Sequence, residues 1–314
     1  MNPDHLLEGL RTGLVTFLGL PLALEPRPVP GVVLGAPYDG GVLNRAGARL
    51  GPWALRQATL GLGRMPMPQR LQGGEGLQEP LGVAAVDWVD GGNIPTRPFD
   101  MAEALGAVEG LTTAWAATGA RTLMLGGDHL LTLGALRAHA RIHGPLGLLH
   151  LDAHPDAGHG EAWGTAHHHG TWLRSALEEG LVDAKRTVQV GLRAPRFDAD
   201  ELAFLADRGV RMWTPGDLQE PRLATKLIGD IARVGQGPAY VSVDLDVLDP
   251  VHAPAVAEPV PGGLSVREVI ALLRPIHRWE RPWVGADLME LAPTLPGAED
   301  SARAAAHLAL HLLG

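Results

Sequence analysis

"LHLDAHPDAG" (Leu149–Gly158) sets carboxylate, imidazole and carboxylate two residues apart, at Asp152, His154 and Asp156, straight after an apolar run. Side chains alternate along an extended chain, so these three lie on one side of it. The run before them, "LGLLHL" (146–151), reads as a strand buried on both faces. A strand that is apolar to its end and polar just beyond delivers chemistry to the C-terminal edge of a parallel sheet.

Further runs of the same kind lie on either side of this one. Upstream are "GVVLGA" (31–36), "GVAAVD" (82–87) and "RTLML" (121–125). Downstream come "TVQVGL" (187–192), "VRMW" (210–213), "AYVSVD" (239–244) and "WVGADL" (283–288). Helical patterns separate them, for example 100–118, 130–142 and 265–277, the last opened by a Ser265–Glu268 capping box. The alternation predicts an α/β fold with a parallel sheet, and leaves open whether eight strands form an open sheet or close into a barrel.

Polar residues gather where such a sheet needs them. "GGDH" (126–129) follows one strand, "VDLDVLDP" (243–250) another, and "ADLMEL" (286–291) carries Glu290 past the last. Asp128 and Asp249 have ready roles as turn and cap residues. His129, Asp152, His154, Asp156, Asp244 and Asp246 remain, four carboxylates and two imidazoles that would repel one another without cations. That is too many donors for one zinc ion and suits two divalent ions. Oxygen-rich coordination favours manganese, with nickel, cobalt or iron also compatible. Two such ions about 3.5–4 Å apart can activate water against an electrophilic carbon.

The chain has 314 residues, 46% hydrophobic, with mean hydropathy +0.05, enough for a large core. It has no cysteine, which excludes disulfides and thiolate chemistry, and its net charge of −9 argues against nucleic acid as a partner. "LVTFLGLPLAL" (Leu14–Leu24) is too short to span a bilayer and is broken by Pro21, so the expected location is cytoplasmic, with no membrane partner. No linker or repeat divides the sequence. Residues 1–314 are expected to form one domain, with 1–30 as an N-terminal extension packing on it.

Taken in order, "GGDH", "DAHPD", "HGT" and "SVDLDVLDP" followed by "PGGLS" resemble the ureohydrolases, the arginase and agmatinase family, from about Val33 to the C-terminal helix. "NRAGARLGP" (44–52) is similar to the agmatinase-type N-terminal signature. The resemblance implies a three-layer αβα sandwich around an eight-stranded, mainly parallel open sheet, and a homo-oligomer, trimer or hexamer. It implies one metal ion on His129, Asp152, Asp156 and Asp244, and a second on Asp152, His154, Asp244 and Asp246. The reaction it implies is hydrolysis of a guanidino compound to urea and an amine. His169, in "AHHHGT" (166–171), would shuttle the proton and Glu290 would pair with the guanidinium.

Departures from the family pattern bear on substrate. Val256 and Glu258 in "AVAEP" (255–259) stand where the family has threonines and are expected to line the substrate pocket, and Trp172 follows HGT where a proline is common. Trp163 and Trp172 flank the histidine run and are expected to wall the pocket. His167, His168, His307 and His311 read as solvated. The loop 157–170 holds no Asn, Ser or Arg, which disfavours arginine and guanidino acids as substrates. A small cationic guanidino compound such as agmatine is the default, and guanidine or a small alkylguanidine the rival. Two readings lie outside this class: a non-catalytic subunit of a hetero-oligomeric ureohydrolase, and a single-zinc deacetylase.

Overall fold

The computed structural model describes residues 13–60, 62, 87–195 and 198–313. Its centre is a sheet of eight strands, all parallel, in the order β2-β1-β3-β8-β7-β4-β5-β6. The strands are β1 Gly31–Ala36, β2 Val89–Asn93, β3 Arg121–Gly126, β4 Leu146–Leu151, β5 Val182–Val190, β6 Arg211–Trp213, β7 Ala239–Asp244 and β8 Gly285–Met289. The sheet is open, with β2 and β6 at its edges. Seven of the eight expected strands fall on observed ones. The eighth, 82–87, lies outside the described residues except for Asp87, and the edge strand begins at Val89.

Both faces of the sheet are buried, which is why its strands read as unbroken apolar runs. Val33, Leu123, Leu149 and Val241 point into one core, which also takes in Leu55, Ile231, Leu273 and Leu308 from helices Gly51–Ala58, Pro221–Val234, Val266–Leu273 and Ala298–Leu313. Their neighbours Val32, Met124, Leu148 and Tyr240 point into the other core, with residues from helices Met101–Ala116, Thr132–His143, Trp172–Glu178 and Glu201–Arg208. The architecture is therefore a three-layer αβα sandwich.

Local signals set the helix bounds. Asp100 accepts a hydrogen bond from the Glu103 amide and starts one helix, and the Ser265–Glu268 capping box starts another. That second helix ends at Leu273 rather than 277, because Pro275 has no N–H to continue it and the chain tightens to a 3₁₀ turn over Arg274–Arg278. Along the β2 edge, the Phe17 amide donates to Asp90 and Ala23 pairs with the Asp90 carbonyl, so residues 17–23 cover edge groups that would otherwise be unpaired. No helix among the described residues is long and apolar enough to cross a membrane.

Candidate active site

Four adjacent strands in the middle of the sheet, β3, β8, β7 and β4, end beside one another. Their C-terminal extensions carry the "GGDH", Glu290, "DLD" and "DAHPD" residues, so topology alone converges the polar stretches. At Gly127 the chain passes so close to Tyr38 that a Cβ would lie 1.8 Å from the Tyr38 carbonyl oxygen, and only glycine fits. Asp128 then accepts from the amides of Leu130 and Gly41, a capping role.

His129 lies at the centre of the cluster. Its Nδ1 is 2.9 Å from Asp244 Oδ2, 3.2 Å from Asp152 Oδ2 and 3.3 Å from Asp156 Oδ2. One ring proton cannot serve three carboxylates, whereas a divalent cation satisfies all four donors. His154 Nδ1 lies 2.9 Å from Asp246 Oδ2 and 3.4 Å from Asp152 Oδ1, a second group that shares Asp152 with the first. The donor set thus fits two cations.

The protonation pattern reflects that crowding. Burial pushes Asp244 well above the usual carboxylate range, reinforced by the charges of Asp246 and Asp152. Burial also raises Asp246, against the pull of His154. Burial works to raise Asp152 too, but His150, His129 and His154 hold it well below the usual range. Without cations, Asp152, Asp244 and Asp246 cannot all ionise together.

The tautomer of His129 is fixed from behind. Asp287 accepts hydrogen bonds from Ser242 Oγ (2.6 Å), Thr132 Oγ1 (2.8 Å) and the Tyr240 hydroxyl (2.9 Å). With its proton committed to Asp287, Ser242 Oγ can only accept from His129 Nε2 at 2.8 Å, which leaves the Nδ1 lone pair facing the cluster. On the other flank, His150 Nε2 is 2.7 Å from Asp152 Oδ2, and its Nδ1 accepts from Gln189 Nε2 at 2.9 Å.

A cavity of about 530 Å³ opens above the cluster, with His154, Asp156, Asp244 and Asp246 on its floor. His169 and Glu290 face it together, His169 Nδ1 3.2 Å from Glu290 Oε1. Burial works against the His169 cation, yet Glu290 lifts its pKa to about 9. Glu290 Oε1 also accepts from the His129 amide at 2.8 Å, while Oε2 is buried with no partner among the described residues. Asp156 (φ 50°) and Glu290 (φ 67°) both sit in the left-handed backbone region, which costs energy in a residue with a Cβ.

The wall holds surprises beside the expected residues. Trp163 and Glu258 line the cavity, but Trp172 and Val256 do not, each being fully buried. Val256 pairs with Leu291 in a β-bridge. Trp172 packs behind the metal cluster: its indole N–H donates to Asp156 Oδ2 at 2.6 Å, and its ring centre lies 4.9 Å from those of His129 and His150. His168, expected in solvent, is buried and accepts from the Gly170 amide as a helix cap. His307 is exposed as expected, whereas His311 is half-buried and its carbonyl accepts from His277.

Sequence reasoning missed His150, Ser242, Asp287, Asp198 and Glu201. His150 had a signal, since alternation puts it on the same side as Asp152. Asp287 had one too, as a carboxylate inside an apolar strand. Asp198 and Glu201 reach the cavity wall from a distant loop and helix, which no local pattern reveals.

A profile of the arginase family matches residues 30–314. Proclavaminate amidinohydrolase from Streptomyces clavuligerus is 41% identical over 281 residues, 88% of this chain and 85% of that protein. Its crystal structure superposes with a TM-score of 0.87 at 37% identity, covering 96% of each chain. Guanidinopropionase from Pseudomonas aeruginosa is 36% identical over 90% of this chain and 85% of its own length. An agmatinase from Neisseria meningitidis is 34% identical over 95% and 91%.

Proposed function

This chain belongs to the arginase family and is an amidinohydrolase, and from that premise we propose that it hydrolyses a small guanidino compound with a cationic tail, agmatine-like, to urea and an amine. The observation that carries the reading is the convergence of three carboxylate oxygens within 3.3 Å of His129 Nδ1, directly beneath a cavity walled by Glu290. His129, Asp152, Asp156 and Asp244 would hold one divalent ion, and Asp152, His154, Asp244 and Asp246 the other, manganese before nickel or cobalt. When bound, such ions supply Lewis acidity and activate water at neutral pH, which a resonance-stabilised guanidinium requires.

The protein's own groups do the rest. Glu290 Oε2, buried and without a partner among the described residues, is an acceptor placed for a guanidinium N–H. His169, held cationic by Glu290, is placed to give a proton to the departing amine. The left-handed backbone at Glu290 and Asp156 aims both carboxylates at the cavity, and such strain is a familiar companion of function.

The relatives' names do not share one substrate, so the tail is read from this cavity. Glu258, Asp198 and Glu201 stand on its wall, and no lysine or arginine lines it among the described residues. Asp198 Oδ2 and Glu201 Oε1 approach the same point, each 3.0 Å from where a Cβ on Gly158 would lie. A tail amine is favoured in that field and a carboxylate opposed. Guanidine itself loses ground as a substrate, because Trp172 and Val256 do not narrow the cavity. We take residues 1–314 as one catalytic domain and expect a cytoplasmic homo-oligomer.

A urea-release screen tests the reading, over guanidine, alkylguanidines, guanidino acids, arginine and agmatine, with manganese, nickel and cobalt supplied separately. The highest kcat/KM is expected for an amine-tailed compound. A guanidino acid that outperforms it overturns the tail assignment. Two bound ions with no urea from any compound would favour the non-catalytic subunit.

A further inference from the structure

A second cavity, of about 600 Å³, lies at the opposite end of the sheet, where β3 and β8 begin. Arg121, the first residue of β3, lines it with its guanidinium set against two indoles. Its guanidinium carbon is 4.7 Å from the Trp283 ring centre and 5.3 Å from that of Trp88. Both tryptophans are buried, and their rings lie 5.9 Å apart, so the guanidinium rests against a rigid indole pair.

Arg56, Arg137, Arg174 and Arg186 each meet a carboxylate, Asp90, Glu179, Asp200 and Asp183 respectively. Arg193 shows how a half-buried arginine without a carboxylate is otherwise satisfied, its guanidinium donating to the carbonyls of Gly191, Asp246, Val247, Leu248 and Val260. The Arg121 guanidinium, by contrast, has no hydrogen-bond partner among the described residues. It meets no carboxylate among them either, and burial lowers its pKa with nothing to offset the effect. A half-buried cation left unpaired is costly, and indole faces cannot use its in-plane N–H donors. The remaining lining carries no acid among the described residues. His143 and His277 line the cavity, both made less basic by burial, and His277 Nε2 donates to the His311 carbonyl. Most of the rest is apolar, including Ala116, Ile276, Pro282 and Val284.

We propose that this cavity is a binding site for a small organic oxyanion, anchored bidentately by the in-plane N–H groups of Arg121, with the apolar lining covering its hydrocarbon body. A guanidinium fork is the group best matched to a carboxylate or phosphate, and the volume is that of a small-ligand site. The occupant would join the starts of the two strands whose other ends lead to His129 and Glu290.

The test is a thermal-melting titration of the metal-loaded protein with butyrate and with inorganic phosphate, at ionic strength held constant with chloride. A saturable rise in Tm is expected. A larger rise with butyrate identifies a carboxylate with an apolar body, and a larger rise with phosphate identifies a phosphate ligand. Arg121→Gln should weaken the apparent affinity at least tenfold, and Arg121→Lys less, since it keeps the charge and loses the fork. No response in the native protein overturns the proposal. So does an unchanged response in Arg121→Gln, which would place the anion at the metal cluster. Should the variants fail to fold, native crystals soaked in selenate decide. An anomalous peak within hydrogen-bond reach of Arg121 supports the site, and peaks only elsewhere overturn it.

Discussion

The strands that build the active site carry opposite chemistry at their two ends. Where β3, β4, β7 and β8 finish, four carboxylates and three imidazoles crowd into a buried cluster. Where β3 and β8 begin, the cavity lining holds Arg121, His143 and His277, with no acid among the described residues. The middle of these strands is buried on both faces and admits few polar groups, so charge collects at the ends. Each end carries more of one sign than its neighbours balance, and each therefore points to a ligand of the other sign. The acidic end is the deeper of the two and should respond most to mutation.

The strongest way to break the comparison is to remove a shared carboxylate. Asp152 lies in both donor groups, and Asp244 Oδ2 is the closest carboxylate oxygen to His129 Nδ1. Asp152→Ala or Asp244→Ala should lose both ions and all measurable urea release, while His129→Ala should lose one ion preferentially. Elemental analysis that still finds two ions in Asp152→Ala would refute a shared carboxylate.

Next in size is proton transfer. His169→Ala should keep its metal content and lose about 10²–10⁴-fold in kcat, the range for a positioned acid–base group. His168 is occupied in capping a turn, so His168→Ala should affect stability more than kcat. If instead His168→Ala shows the kcat loss, the roles in the "HHH" run are misassigned.

Trp172 tests whether the acidic end is built from behind as well as lined from above. Trp172→Phe keeps most of the ring packing on His129 and His150 but deletes the N–H that holds Asp156 Oδ2. Loss of such an outer hydrogen bond should weaken divalent-ion affinity about 10–100-fold. Equilibrium titration of the stripped protein with manganese measures it directly, and an unchanged affinity would reduce Trp172 to core packing. Glu258→Thr is expected to act more gently, raising KM for the amine-tailed substrate about 2–30-fold at constant metal content, since a charged hydrogen bond exceeds a neutral one by roughly 0.5–2 kcal/mol. Unaltered kinetics across the guanidino panel would leave specificity to Asp198, Glu201 and Trp163.

These expectations differ in how far the sequence alone could carry them. Apolar runs such as 31–36, 146–151 and 239–244 placed strands to the residue, because burial on both faces writes itself as continuous hydrophobicity. The cluster was equally legible, since its donors sit within a few residues of strand ends. Trp172 and Val256 were misplaced because sequence position puts them near the site but gives no side-chain direction, and both turn inward. The Ser242–Asp287–Thr132 chain joins three separate elements, so it exists only once β7 and β8 lie side by side. The basic end was unreadable for the same reason: Trp88, Arg121 and Trp283 come from three strand starts far apart in sequence.

A separate effect concerns stability at that basic end. His139 is fully buried beside the start of β3, with Nε2 2.8 Å from Thr122 Oγ1, its ring 6.0 Å from His143 and 5.8 Å from Tyr240. Burial, aided by His143, pushes its pKa down to about 3. The unfolded chain, with an ordinary histidine near 6.5, therefore binds the proton that the folded chain refuses. The stabilisation is fully present above about pH 6.5 and is lost as pH falls toward 3, at up to about 1.4 kcal/mol per pH unit. His139→Asn keeps a group able to hydrogen-bond Thr122 and cannot titrate. Its unfolding free energy should fall less steeply than the native protein's between pH 6 and 4.5, measured by urea denaturation in chelator so that metal release does not enter the difference. Parallel slopes for the two proteins would mean that His139 takes up a proton inside the fold, against the burial that surrounds it.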